Sequence, residues 1–198
     1  MLNLSRAARL GAATAAALAL SAPAAFAACP TRSFDPVFSD FNDGALYTLA
    51  PGGDFESAAT DWTLSGGATL VADNPSRLAA DAGDSTSLEL ASGASATSPE
   101  FCVAAGYPSA RLFSEAVSRG RFGAWLLAEV LYADGSHQPV GLLGARPEWD
   151  ATRKLSLAQG RFRRWFGADA TASVRLRFTS LSGVTRIDDV YVDPRFRA

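Results

Sequence analysis

Gly53-Asp54-Phe55-Glu56-Ser57, followed five residues later by Trp62, and Arg186-Ile187-Asp188-Asp189-Val190-Tyr191-Val192 near the C-terminus decide how this chain is read. Both stretches set carboxylates among residues that otherwise have the character of buried β-strand. A carboxylate in such surroundings is costly unless it is paired or bound to a metal. The two stretches therefore predict an acidic junction between an early and a late strand of one domain.

Strand signals fill the space between them. Short runs rich in β-branched and aromatic residues alternate with clusters of Gly, Pro, Asn, Asp and Ser, the spacing of an all-β sandwich. Ala45 to Leu49 is a short strand ended by Pro51-Gly52-Gly53. Trp62 to Leu64 and Ala68 to Ala72 flank Ser65-Gly66-Gly67, a hairpin-like break. Further strands are expected over Ser85 to Leu90, Arg111 to Val117, Gly123 to Tyr132, Gln138 to Leu143, Lys154 to Leu157 and Ser173 to Thr179. Gly123 to Tyr132 is expected to be the longest, and Asp134-Gly135-Ser136 after it is a strong hairpin signal. Val174, Leu176 and Phe178 alternate with Arg175, Arg177 and Thr179, a half-buried pattern. Gln159 to Ala170, with Arg161, Arg163, Arg164 and Trp165, resists a strand reading and suits a short helix or an edge loop. No internal repeat is evident, so one domain is the simplest account.

The first 27 residues read as an export signal: Arg6 and Arg9, an apolar run from Leu10 to Leu20, then Ala25-Phe26-Ala27. Cleavage after Ala27 would leave 171 of the 198 residues as one β-sandwich domain, 28–198, in a secreted, extracellular protein. The remainder would keep 16 basic and 20 acidic residues, a formal charge of −4, which argues against nucleic acid or anionic lipid as the main partner. No second apolar stretch suits a membrane span. Lys154 is the only lysine, and arginine and alanine are abundant, as in a high-GC bacterial genome. The only two cysteines, Cys29 and Cys102, are expected to form a disulfide in an oxidising compartment. The bridge would close a loop of about 73 residues, worth roughly 4 kcal/mol in the chain-entropy account. Lipidation of Cys29 is the alternative, although Phe26-Ala27-Ala28-Cys29 makes a poor lipobox.

Taken together, Gly53 to Ser57 with Trp62, and Ile187-Asp188-Asp189-Val190, resemble the opening and closing strands of carbohydrate-binding modules of the family 4, 9 and 22 type. Trp149-Asp150-Ala151-Thr152 sits where such modules often carry a tryptophan before a strand. The resemblance implies an antiparallel, galactose-binding-like jelly-roll β-sandwich. It also implies a structural calcium held by Glu56 and Asp188, with Asp189 a weaker candidate. Hard oxygen ligands from both ends of the chain suit that ion. The competing reading is a salt bridge or backbone hydrogen bonds, with Arg186 or another arginine as partner.

Sugar binding needs exposed aromatics that stack on pyranose rings, and polar groups at their edges. Aromatic candidates are Trp125, Trp149, Trp165, Tyr107 and Tyr132. In Gly123 to Tyr132 one face carries Ala124, Leu126, Ala128, Val130 and Tyr132, and the other Trp125, Leu127, Glu129 and Leu131. The second face, joined by Arg175 and Arg177, makes Trp125, Glu129, Trp149, Arg175 and Arg177 the expected ligand-binding set. A central strand buried on both sides is the competing reading, and Trp62 is expected in the core. Arg161, Arg163 and Arg164 beside Trp165 would touch an anionic cell-wall polymer or form a solvated face.

No enzyme motif stands out. The sole histidine, His137, follows a turn, and neither a nucleophile elbow, a zinc cluster nor a glycine-rich phosphate loop occurs. The expected function is non-catalytic binding of a polysaccharide or cell-envelope glycan. The rival is an extracellular structural or protein-interaction module that does not bind sugar.

Overall fold

The computed structural model describes residues 33–56, 61–75, 83–104, 108–157 and 171–195. The expected signal segment, Cys29, Tyr107 and the Arg161 to Trp165 cluster lie outside them. Thirteen strands are described, arranged as two antiparallel sheets face to face. Sheet I contains β1 (Thr48–Leu49), β3 (Ala68–Val71), β4 (Ser87–Leu90), β7 (Ser109–Ser118), β10 (Asp150–Ala151), β11 (Leu155–Ser156) and β13 (Val184–Asp193). Sheet II contains β2 (Thr63–Ser65), β5 (Ser95–Thr97), β6 (Phe101–Ala104), β8 (Trp125–Tyr132), β9 (His137–Gly144) and β12 (Thr171–Ser182). The chain passes repeatedly from one sheet to the other, giving the expected all-β jelly-roll sandwich.

Period-two alternation decides which side chains go inward. Leu126, Ala128 and Val130 of β8, Val174, Leu176 and Phe178 of β12, and Leu88 and Leu90 of β4 meet Ile187, Val190 and Val192 of β13 in one dry core. Phe55 and Trp62, from the opening motif, close it. Their rings lie 5.1 Å apart, Trp62 stacks on Phe178 at 6.2 Å, and the indole N–H donates to the Pro51 carbonyl at 2.9 Å. Trp62 is thus a core residue, as expected.

Two strand expectations are corrected. Gly66-Gly67 does not close a hairpin: β2 pairs with β5 in sheet II, whereas β3 pairs with β4 in sheet I. The turn is a corner between sheets, nested on a second corner at Gly93-Ala94. Gly66 has φ +68°, and a Cβ there would sit 3.1 Å from the Gly93 carbonyl oxygen. The longest strand is β12, with 12 residues, rather than β8, with 8. β8 does lead into the expected hairpin, with Tyr132 N–H donating to the Ser136 carbonyl at 2.9 Å and Gly135 N–H to the Tyr132 carbonyl at 3.0 Å.

A second apolar cluster lies on the outer face of sheet I. Residues 33–47 fold across that face, and Phe38 and Tyr47 pack on Phe113 of β7 and Tyr191 of β13. Phe38 is fully buried, with ring centroids 5.0 Å from Tyr47, 5.4 Å from Phe113 and 5.7 Å from Tyr191. No segment among the described residues covers sheet II in the same way.

Candidate functional site

The outer face of sheet II is built by strand alternation. Register places Thr97, Arg177, Glu129 and Pro139 in one row across β5, β12, β8 and β9, and Arg175, Leu131 and His137 in the next. Glu129 is only 6% exposed, yet it faces away from the core. It survives burial because Arg177 lies opposite: Nε donates to Glu129 Oε2 at 2.9 Å, and a terminal guanidinium nitrogen sits 2.8 Å from the same oxygen. A charge-assisted pair of this kind holds its members in one orientation. His137 Nε2 lies 3.9 Å from Glu129 Oε1.

Trp125 stands at the other end of the same face, 37% exposed, at the start of β8. Its N–H donates to the Phe122 carbonyl at 2.6 Å, which fixes the ring. The indole lies across Gly144 of β9, where a Cβ would come within 3.3 Å of Trp125 Cζ3. Four residues separate Trp125 from Glu129, roughly 13 Å of extended strand. Trp125, Glu129, Arg175 and Arg177 therefore share one face, as the alternation predicted, and β8 is not buried on both sides. Trp149 does not join them. It is half-buried in the aromatic cluster on sheet I, against the covering N-terminal segment. Tyr132 points into the core, so it is no sugar platform.

The acidic junction lies on sheet I. Glu56 accepts hydrogen bonds from the Ser85 and Thr86 backbone N–H groups, both at 2.6 Å, and so ties the opening motif to the entry of β4. Asp188 is 1% exposed, and the Asp189 N–H donates to its Oδ1 at 2.8 Å. Burial, reinforced by the negative charges of Asp189, Asp84 and Glu56, pushes the Asp188 carboxyl up to about 9. Asp189 has φ +50°, where the register of β13 against β7 shifts. Tyr191 is held well above the ordinary tyrosine range by burial and by the neighbouring carboxylates.

Arg186 is not the partner of this junction. Its side chain turns along the next row, with Nε donating to Glu89 Oε2 at 2.9 Å, a terminal nitrogen bonding Asp73, and Glu115 at 3.6 Å. The salt-bridge alternative for Asp188 through Arg186 is thereby corrected. Glu56 and Asp188 offer only oxygen atoms, the donor type that a hard cation takes. Among the described residues, no three carboxylates, histidines or cysteines form a ready-made metal cluster.

Sequence reasoning missed a third polar site. Asp43, within the N-terminal cover, accepts from Tyr47 Oη at 2.7 Å, Arg111 at 3.1 Å and Lys154 Nζ at 3.0 Å. Burial acts to raise its carboxyl, but the bonds from Tyr47, Lys154 and the Ala45 N–H, with the Lys154 charge, outweigh it and hold the group at about 2. Arg111 also lies 4.7 Å from the centre of the Phe38 ring. Arg111 and Lys154 are 68 and 111 residues away in sequence, so no local spacing announces these two partners. Cys102, on β6, is half-buried and is not a free thiol. Its expected partner Cys29 lies outside the described residues. No described helix is long and apolar enough to cross a membrane.

No family model matches this chain, and no curated protein matches it. Its fold does match solved structures. A xylan-binding module of family CBM15 shares it with a TM-score of 0.50 and 11% identity, over 78% of this chain and 100% of that one. The CBM22-1 xylan-binding domain of Paenibacillus barcinonensis Xyn10C aligns with TM-score 0.45 and 14% identity, over 74% and 94% of the two chains. The enzymatically active domain of bacteriophage CBA120 tailspike protein 4 aligns with TM-score 0.46 and 19% identity, over 72% of this chain. The present chain spans about a fifth of that protein's length. At such identity the match to the CBM15 structure establishes a shared jelly-roll fold and nothing beyond it.

Proposed function

We propose that this chain is a secreted, non-catalytic module that binds a polysaccharide or cell-envelope glycan along the outer face of sheet II. The observation that carries the reading is the contrast in cover: sheet I is closed by the N-terminal segment, whereas on sheet II Trp125 is exposed and Arg177, about one-third exposed, is held in place by the buried Glu129. Trp125 supplies an apolar ring held by its own hydrogen bond. Arg177, Arg175 and Thr97 supply edge groups for hydroxyls. Xylan binding by two fold neighbours supports a glycan as the ligand class without specifying which.

A calcium ion would serve this module structurally, with Asp188 and Glu56 as its carboxylate ligands and backbone carbonyls completing the oxygen shell. Its role is to neutralise buried negative charge between the opening and closing strands. A second reading, an extracellular protein-interaction module, draws on one observation: Phe122 (77% exposed), Leu181 and Leu142 lie exposed at the Trp125 end of sheet II.

Titration of the purified protein with soluble polysaccharides tests the first reading. At least one glycan should bind, and Trp125→Ala should weaken it at least tenfold while leaving the melting temperature near wild type. If no glycan in a broad panel binds, and Phe122→Ser abolishes binding of an isolated protein partner, the second reading replaces it. Calcium should raise the melting temperature and EDTA should reverse the rise, because a ligand of the native state alone stabilises it. Asp188→Asn should remove that response.

A further inference from the structure

β9 and β10 are the end strands of the two sheets. A pocket of about 200 Å³ is formed by Leu142, Leu143 and Gly144 of β9, by Arg146 and by Asp150 to Arg153, with Ser114 of β7 at its back. That volume holds one sugar ring and not a chain. It is below the few hundred Å³ of sites that enclose larger ligands. The walls are fixed. Thr152 N–H donates to the Leu112 carbonyl at 2.8 Å, and Thr152 Oγ1 accepts from Leu112 N–H at 3.2 Å. Ala116 N–H bonds the Arg146 carbonyl.

The charges in the pocket do not balance. Arg146 is paired with Asp150 at 2.8 Å. Arg153 makes no ion pair among the described residues; its guanidinium reaches only the Leu142 carbonyl, at 3.3 Å. Guanidinium matches a carboxylate through two parallel hydrogen bonds, which a hydroxyl cannot provide. Gly144 is shared: it lines the pocket, and the Trp125 indole lies across it. The pocket therefore adjoins the aromatic end of the sheet II face.

We infer that this pocket is a charged subsite that takes a single uronic acid residue, its carboxylate on Arg153, at the end of a glycan lying over Trp125. The subsite deepens the glycan-binding reading and rests on it for the chain beyond the first residue, although the pocket itself can be occupied by a monosaccharide. Ser114 and the Arg146–Asp150 pair are placed to bond the ring hydroxyls. Leu142, Leu143 and Ala151 line the apolar part.

The test follows backbone amide chemical shifts of the wild-type protein during titration with glucuronate, galacturonate, glucose and galactose. Either uronate should shift amides over residues 142–153, with neutral sugars at least tenfold weaker. Arg153→Gln should abolish that preference, and added salt should weaken uronate binding more than neutral-sugar binding. Uronate shifts absent from 142–153, or equal responses to uronate and neutral sugar, overturn the inference. A second pair of arms separates it from the broader reading. A uronate-containing polysaccharide whose affinity falls with Trp125→Ala but not with Arg153→Gln leaves the glycan module standing and removes the subsite. Uronate bound at 142–153 with no polysaccharide bound does the reverse.

Discussion

The two sheets have equivalent inner faces and opposite outer ones. On sheet I, residues 33–47 lay Phe38 and Tyr47 over Phe113 and Tyr191, and Asp43 fastens the cover to Arg111 and Lys154. On sheet II, the same positional alternation leaves Trp125, Arg175 and Thr97 at the surface, and Glu129 is satisfied by an arginine on the next strand. A covered face adds apolar burial and so contributes to stability. A face that no described segment covers contributes less, and its exposed side chains, Trp125 and Arg175 among them, are available to a ligand. On the proposed glycan-binding reading, stability and recognition reside on opposite sides of this sandwich, so substitutions should separate them.

The largest effect should come from removing the cover's anchor. Phe38→Ala empties a fully buried aromatic site and should cost about 3–5 kcal/mol in denaturant unfolding, with glycan affinity of the folded protein unchanged. A cost under about 1 kcal/mol would mean that the cover contributes little, and the contrast between faces would fail. Glu129→Ala comes next. It strips Arg177 of its carboxylate partner, but Arg177 is about one-third exposed and partly rehydrates, so the expected cost is about 2 kcal/mol, together with weaker glycan binding.

Asp43 sharpens the comparison through pH. Its carboxyl sits at about 2 in the folded protein against an ordinary 3.8, so the unfolded chain binds more protons between those values. The contribution to stability is complete above about pH 4 and is lost as pH falls through about 2, an effect of about 1–2 kcal/mol. Asp43→Asn should flatten that acid limb, measured as the difference between the two unfolding curves from pH 2 to 5. Equal slopes would show that Asp43 does not fasten the cover. The smallest stability effect belongs to Trp125→Ala, within about 0.5 kcal/mol, as expected for a partly exposed residue outside the core. A drop of several kcal/mol would make Trp125 a packing residue and weaken its assignment as a ligand platform.

Much of the fold was legible because the alternation survives in the sequence. Val174, Leu176 and Phe178 against Arg175 and Arg177 gave the inner and outer faces of β12, and Leu126, Ala128 and Val130 gave those of β8. The glycine pair at 66–67 misled, because a hairpin turn and a corner between sheets both require positive φ. Nothing within five residues distinguishes them. Of the candidate site, Trp125, Glu129, Arg175 and Arg177 were found by the same alternation. Trp149 was misplaced because its position before a strand says nothing about which sheet that strand joins; β10 pairs with β7, on the covered side.

What the sequence by itself determined is local: strand periodicity, the β8–β9 hairpin, the core role of Trp62, and the presence of carboxylates within strands at both ends of the domain. What only the tertiary structure decided is the pairing of charges. Arg186 was adjacent in sequence to the acidic junction, yet it binds Glu89 and Asp73, because strand residues two apart share a face but lie in neighbouring rows, and a long side chain follows its own row. Glu129 found Arg177, 48 residues away, and Asp43 found Lys154, 111 residues away. Hydrophobic burial is non-directional and leaves a periodic trace along the chain. An ion pair requires two particular atoms within a few ångströms, and that proximity exists only after the sheets have registered and packed.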